Sequence, residues 1–146
     1  IQSLLEAGVD EIMVVTGGEH AGDFLKLLKN GKQLGLRKLE YAYQEGEGGI
    51  ADALKLAEDF ADGGQVAVVL GDNIIEGSIA HAVRAFREQQ VGAKILLKQV
   101  PDPQRFGVVR FENGVRLTVK PTRFQVLLTD AGTLPCLFRA SSLVAS

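Results

Sequence analysis

Apolar positions along this chain follow two distinct periods. "EIMVVT" (Glu11 to Thr16) and "QVAVVL" (Gln65 to Leu70) are short, nearly continuous apolar runs, the pattern of strands covered on both faces. Between them, "AGDFLKLLKNG" sets Phe24, Leu25, Leu27 and Leu28 at helical spacing and stops at Gly31. "RKLEYAYQ" alternates Leu39, Tyr41 and Tyr43 with Lys38, Glu40 and Ala42, which predicts a less buried strand. A glycine-rich turn, "EGEGG" (Glu45 to Gly49), leads into "IADALKLAEDF", a stretch of good helix formers. A further helix is predicted from about Ser78 to Gln90, with Ser78 as N-cap, and "AKILLKQV" reads as a strand. "IQSLLEAG" at the start has Ile1, Leu4 and Leu5 on one helical face and Gly8 as its stop. A chain that opens inside such a packed element is expected to be part of a longer protein.

Strand and helix alternate throughout this region, which predicts βαβ units. The fold class is therefore α/β: a Rossmann-like, mainly parallel sheet with helices on both faces. After Val100 the style changes. "FGVVRFENGVRLTVK" predicts a hairpin around Asn113-Gly114. From Pro121 onward the apolar residues have no clear period and predict no element. We take 1–121 as the core and 122–146 as an unmatched tail.

Composition narrows the partners. The formal net charge is -2, from 16 Lys+Arg against 18 Asp+Glu, and the charges are scattered. Nothing in that balance favours nucleic acid or an anionic membrane. Cys136 is the single cysteine, so no internal disulfide can form, which fits a cytoplasmic location. No apolar run reaches the length of a membrane span.

In open parallel sheets, ligands bind beyond the carboxyl ends of the strands. Three predicted strands end in suggestive loops there: Thr16-Gly17-Gly18, Gln44 to Gly49, and Gly71-Asp72-Asn73. Asp72, just past a buried strand, could hold Mg²⁺ together with substrate phosphates. Asp72 or Asn73 could equally make an Asx turn or start the next helix. Gln44 offers both a donor and an acceptor, which suits the edge of a pyrimidine base, and the glycines behind it would let the base lie against backbone. An ordinary Gly-rich connection is the plain alternative. Gly46-x-Gly48-x-x-Ala51 also fits a loose dinucleotide fingerprint, but Glu45 and Glu47 would repel a pyrophosphate. Lys120 could meet a phosphate as a point charge, or simply be solvated. His20 and His81 have no partners at metal-ligand spacing and read as surface or capping residues, and Cys136 has no catalytic constellation.

Together, "GVDEIMVVTGGEHAGDFLKLL", "NGKQLGLRKLEYAYQEGEGGIADAL", "VAVVLGDNIIEG" and "VPDPQRFGVV" resemble the central part of bacterial glucose-1-phosphate thymidylyltransferases. These are sugar-phosphate nucleotidylyltransferases that make dTDP-glucose. The resemblance runs from about Ile1 to Pro121. It implies the nucleotide-diphospho-sugar transferase type of Rossmann-like fold, here incomplete. It implies dTTP and glucose-1-phosphate as substrates, Mg²⁺ as cofactor, and leaves room for a homo-oligomer of the full-length enzyme. By the same resemblance, Asp72 binds the catalytic Mg²⁺, Gln44 bonds the thymine base, and the Gly49 backbone borders it. Gly107 lies at the sugar pocket and Lys120 contacts the sugar phosphate.

The family's glycine-rich N-terminal strand and triphosphate loop would precede Ile1, and its second metal-binding aspartate would lie beyond Ser146. Where the family has Glu-Glu-Lys-Pro, this chain has Thr118-Val119-Lys120-Pro121, and Val119 cannot accept a sugar hydroxyl. Two other classes stay open: a non-catalytic nucleotide-sugar-binding module or inert remnant, and a dinucleotide-binding oxidoreductase domain. On this reading, the 146-residue chain by itself releases little or no pyrophosphate from dTTP with glucose-1-phosphate and Mg²⁺. Release at enzyme-like rates would contradict that expectation.

Overall fold

A computed structural model describes residues 1–46, 48–89, 93–96, 101, 110–112, 116–118 and 136–139. The described elements are α1 (Gln2–Glu6), β1 (Glu11–Thr16), α2 (Ala21–Leu28), β2 (Lys38–Tyr43), α3 (Gly49–Leu56), α4 (Glu58–Ala61), β3 (Gln65–Val68), α5 (Ala80–Arg87), β4 (Lys94–Ile95), β5 (Arg110–Glu112), β6 (Arg116–Thr118) and β7 (Cys136–Arg139). Short 3₁₀ turns at Gly18–His20 and Lys32–Leu34 flank α2. The alternation of strand and helix bears out the α/β class.

β1 and β2 pair in parallel, in register from Glu11↔Lys38 to Thr16↔Tyr43. β3 and β4 each pair antiparallel with β7, so they run parallel to one another on either side of it. Within each of these two sheets the strands of the βαβ units keep one direction, and β7 is an antiparallel strand inserted between β3 and β4. Its residues lie in the segment for which the sequence predicts no element. β5 and β6 form the expected hairpin, with Glu112↔Arg116 as its last pair, and Asn113 and Gly114 lie outside the described residues.

The core centres on α5. Ile79, Ala82, Val83 and Phe86 recur at helical spacing and are buried with Ala7. Leu4, Val9, Ala67, Ile75 and Leu96 pack partly buried against them, so α5 joins α1, β3 and the segment around β4. Polar contacts fix the same junction. The Arg87 guanidinium donates to the Gly8 carbonyl at 2.9 Å, and Gln65 Nε2 donates to the Phe86 carbonyl at 3.2 Å. The Phe86 carbonyl, in the last turn of α5, also accepts the Gln89 N–H at 2.9 Å, and Gly8 lies just past the end of α1. Gly8 sits at φ +77, the left-handed conformation that ends α1.

Three local expectations change. Ser78 does not flank the helix, because α5 starts at Ala80, but its hydroxyl still accepts the Ala80 N–H at 3.2 Å. The expected strand over "AKILLKQV" is described only at Lys94–Ile95, and residues 97–100 lie outside the described residues. β1 and β3 are not covered on both faces: Ile12 is the one buried residue of β1, and β3 has none. The physical reason is that β1 and β3 belong to separate sheets among the described residues, and α2 turns its apolar side chains outward. Phe24, Leu25 and Leu27 are exposed, Leu27 to 71 %.

No helix among the described residues is long and apolar enough to cross a membrane. Phe86, 3 % exposed at the centre of the core, should carry a large share of stability. Phe86→Ala is expected to lower unfolding free energy by about 3–5 kcal/mol in urea denaturation. Leu27→Ala, which removes an exposed side chain, should change it by less than about 0.5 kcal/mol.

Candidate functional site

The parallel pairing of β1 with β2 brings their carboxyl ends together. Beyond the last register pair, the Gln44 N–H donates to the Thr16 carbonyl at 2.9 Å. Gly17 then lies against Gln44 so closely that a Cβ on it would stand 2.5 Å from the Gln44 carbonyl oxygen. The Gly17 backbone is extended, φ −145, so any residue could adopt its conformation. Glycine is needed there for space, and the two strand ends approach this closely because position 17 has no side chain.

From Gln44 the chain folds back on itself through Gly46 at φ +69 and Gly49 at φ +79. Those left-handed turns suit glycine and return the chain toward the strand end. Gln44 Nε2 donates to the Gly49 carbonyl at 2.9 Å. The structure therefore joins Gln44 and Gly49, two residues singled out in the sequence, in one hydrogen bond at the sheet's carboxyl edge.

Asp72 sits in the turn that follows β3. That turn is closed by its backbone, with the Asn73 N–H on the Leu70 carbonyl at 3.1 Å. The expected alternatives of an Asx turn or a helix start at Asp72 do not describe its carboxylate. Its Oδ1 accepts from Asn73 Nδ2 at 3.0 Å, and the side chain is exposed. Among the described residues Oδ2 has no protein partner. Nor do three or more His, Cys, Asp or Glu side chains gather anywhere among them to form a protein-only metal cage. One exposed carboxylate with an uncommitted oxygen fits Mg²⁺, which is commonly held by one or two carboxylates and keeps waters and substrate phosphates. Gly107 and Lys120 lie outside the described residues.

The sequence matches the family of nucleotidyl transferases over residues 1–136. The chain belongs to the nucleotidyl transferase family. Among nucleotidyl transferase relatives, a glucose-1-phosphate thymidylyltransferase of Actinoplanes sp. is 39 % identical over 127 residues, covering 84 % of this chain and 41 % of that protein. Another from Neisseria gonorrhoeae is 37 % identical over 122 residues, covering 81 % of this chain and 42 % of that one. A crystal structure of a candidate glucose-1-phosphate thymidylyltransferase from Bacillus anthracis, in complex with sucrose, superposes with a TM-score of 0.81 at 36 % identity. It covers 97 % of this chain and 57 % of that one. The chain thus spans under half the length of these two sequence relatives.

One feature of the glycine loop escaped the sequence. Asp52, in the first turn of α3, lies over Gly48, where a Cβ would collide with its Oδ2, and it pairs with Lys55 at 3.1 Å. The spacing of Asp52 from Gly48 was legible, but not that the carboxylate folds back over the helix start. His20 pairs with Asp23 at 3.6 Å with both side chains exposed, and His81 is exposed on α5, as surface roles require. The left-handed Gly49 gives a direct check on the loop. Gly49→Ala should cost about 1–2 kcal/mol of stability in urea denaturation. Gly71→Ala, with open space around it and no positive φ, should cost less than about 0.5 kcal/mol.

Proposed function

We propose that this chain forms the base-reading and metal-facing part of a glucose-1-phosphate thymidylyltransferase. The observation that carries the reading is the Gln44 amide, fixed against the Gly49 carbonyl at the carboxyl edge of the β1–β2 pair. The names of the relatives support the same chemistry. In the reaction, a phosphate oxygen of glucose-1-phosphate attacks the α-phosphorus of dTTP. The new P–O bond forms as the bond to the β-phosphate bridge breaks, giving dTDP-glucose and pyrophosphate.

Gln44 bonds the Watson–Crick edge of the thymine, and the Gly49 backbone borders the ring. Asp72 is the residue that would hold Mg²⁺; when bound, the ion neutralises phosphate charge in the transition state. Lys120 is assigned to the sugar phosphate and Gly107 to the sugar pocket. The chain's own contribution to rate is positioning: a base held at Gln44 fixes where the α-phosphorus lies. A cytoplasmic location and a homo-oligomeric full-length enzyme belong to this reading.

A second reading is a module that holds a nucleotide sugar without turning it over. Val119 favours it, because a valine cannot accept a hydrogen bond from a sugar hydroxyl. The dinucleotide reading is disfavoured by the Asp52 carboxylate over Gly48, which puts negative charge where a pyrophosphate would approach.

Two measurements separate these readings. In the full-length protein, pyrophosphate release from dTTP and glucose-1-phosphate should stop on chelation of Mg²⁺. Gln44→Ala should raise KM for dTTP roughly tenfold or more, the discrimination a paired base edge supplies. Turnover unaffected by Gln44→Ala would contradict the assignment. In calorimetry without Mg²⁺, dTDP-glucose binding should survive Asp72→Ala and vanish in Gln44→Ala. Binding without any turnover in the full-length protein would favour the module, and a response to NAD(H) would revive the dinucleotide reading.

A further inference from the structure

Resting on the base-reading role of Gln44, we propose that the Gly49 carbonyl is a specificity element that holds the Gln44 amide in one orientation. The two ends of a primary amide are nearly the same size and shape, but they differ in hydrogen-bonding sense. A free glutamine can turn its amide over and read either of two complementary base edges. Thymine and uracil offer an N3–H donor beside the O4 acceptor. Cytosine offers the reverse, an N3 acceptor beside an N4 amine. An unlocked amide would satisfy both.

One hydrogen bond in the fold biases that choice. A carbonyl can only accept, so the bond of 2.9 Å to Gly49 requires nitrogen, not oxygen, on that side of the Gln44 amide. Turning the amide over would lose this bond and set two oxygens against each other. Held this way, Oε1 is left to accept an imide N–H, and the second Nε2 hydrogen is left for a carbonyl beside it. That pattern matches thymine or uracil and opposes cytosine.

The parts of the lock are themselves constrained. Gln44 is anchored through its N–H to Thr16 at 2.9 Å and packed at its carbonyl against Gly17. Gly49 takes φ +79, a conformation that an alanine adopts only with strain, and this conformation helps to aim its carbonyl back at Gln44. The chain thus carries a positioning device for base identity, distinct from the groups that bind phosphate.

The test pairs nucleotide selectivity with a direct observation of the amide. Calorimetry compares dTTP, UTP and CTP on the full-length protein and on its Gly49→Ala variant. The unaltered protein should favour dTTP and UTP over CTP by roughly tenfold or more, as a well-made pair to a base edge does. In Gly49→Ala the thymidine-to-cytidine ratio should fall toward one, whatever the change in overall affinity. In parallel, NMR of the unaltered protein should show a Gln44 side-chain amide with one hydrogen slowed in exchange, needing no substitution that might disturb folding. A Gln44 amide that exchanges as freely as a solvent-facing one would overturn the lock, as would a ratio unchanged in a folded Gly49→Ala. If no pyrimidine nucleotide binds the unaltered protein at all, the base-reading role fails first and the lock with it.

Discussion

Parallel pairing of β1 with β2 runs without a bulge from Glu11↔Lys38 to Thr16↔Tyr43. It ends in the bond from the Gln44 N–H to the Thr16 carbonyl. That register decides what the candidate site can be. Because successive side chains alternate between faces, a slip of one residue would turn Gln44 to the opposite face. It would also separate Gly17 from the carbonyl it accommodates. The glycine turn then completes the arrangement by returning Gly49 to Gln44. Base recognition, on this account, is a property of strand register and of two glycines, more than of any charged group.

The hydrophobic core is built around α5. Ile79, just before α5, and Val83 and Phe86 on it pack in one cluster with Ala7, past the end of α1, and Ala67 on β3. Arg87 and Gln65 tie the same elements through the Gly8 and Phe86 carbonyls. The ion pairs elsewhere lie at the surface. Arg37 with Asp10 and Glu11, and Lys38 with Glu40, link neighbouring exposed side chains around the start of β1 and β2. Such pairs typically contribute well under 1 kcal/mol each, so burial around α5 dominates stability. Lys38 also stands over the Phe60 ring at 5.3 Å, which joins β2 to α4.

Much of this was legible in the sequence, for identifiable reasons. Each βαβ strand carries a dense apolar run or a strict alternation, and α1 has its stop at Gly8, whereas α2 ends at a left-handed Lys29, φ 52, two residues before the expected stop at Gly31. The Asn113-Gly114 hairpin announced itself by turn chemistry alone. β7 did not, because Cys136–Arg139 lies in an apolar stretch with no period and its pairing partners, β3 and β4, are distant in the chain. The incomplete cover on β1 and β3 was also hidden. An apolar run states that a strand can be buried, not which neighbours do it, and α2 spends Phe24, Leu25 and Leu27 on the solvent side. At the site, the residue types of Gln44 and Asp72 suggested their chemistry. Their partners did not follow from spacing: the Gln44–Gly49 bond depends on two left-handed glycines, and the exposed state of Asp72 depends on a backbone-closed turn.

The most direct test of the central claim is NMR shift mapping of a thymidine nucleotide on this protein. The account predicts changes concentrated at Thr16, Gly17 and the 44–49 loop, with the Gln44 side-chain amide among the most strongly shifted signals. A nucleotide that leaves those signals unmoved and perturbs another surface would contradict it.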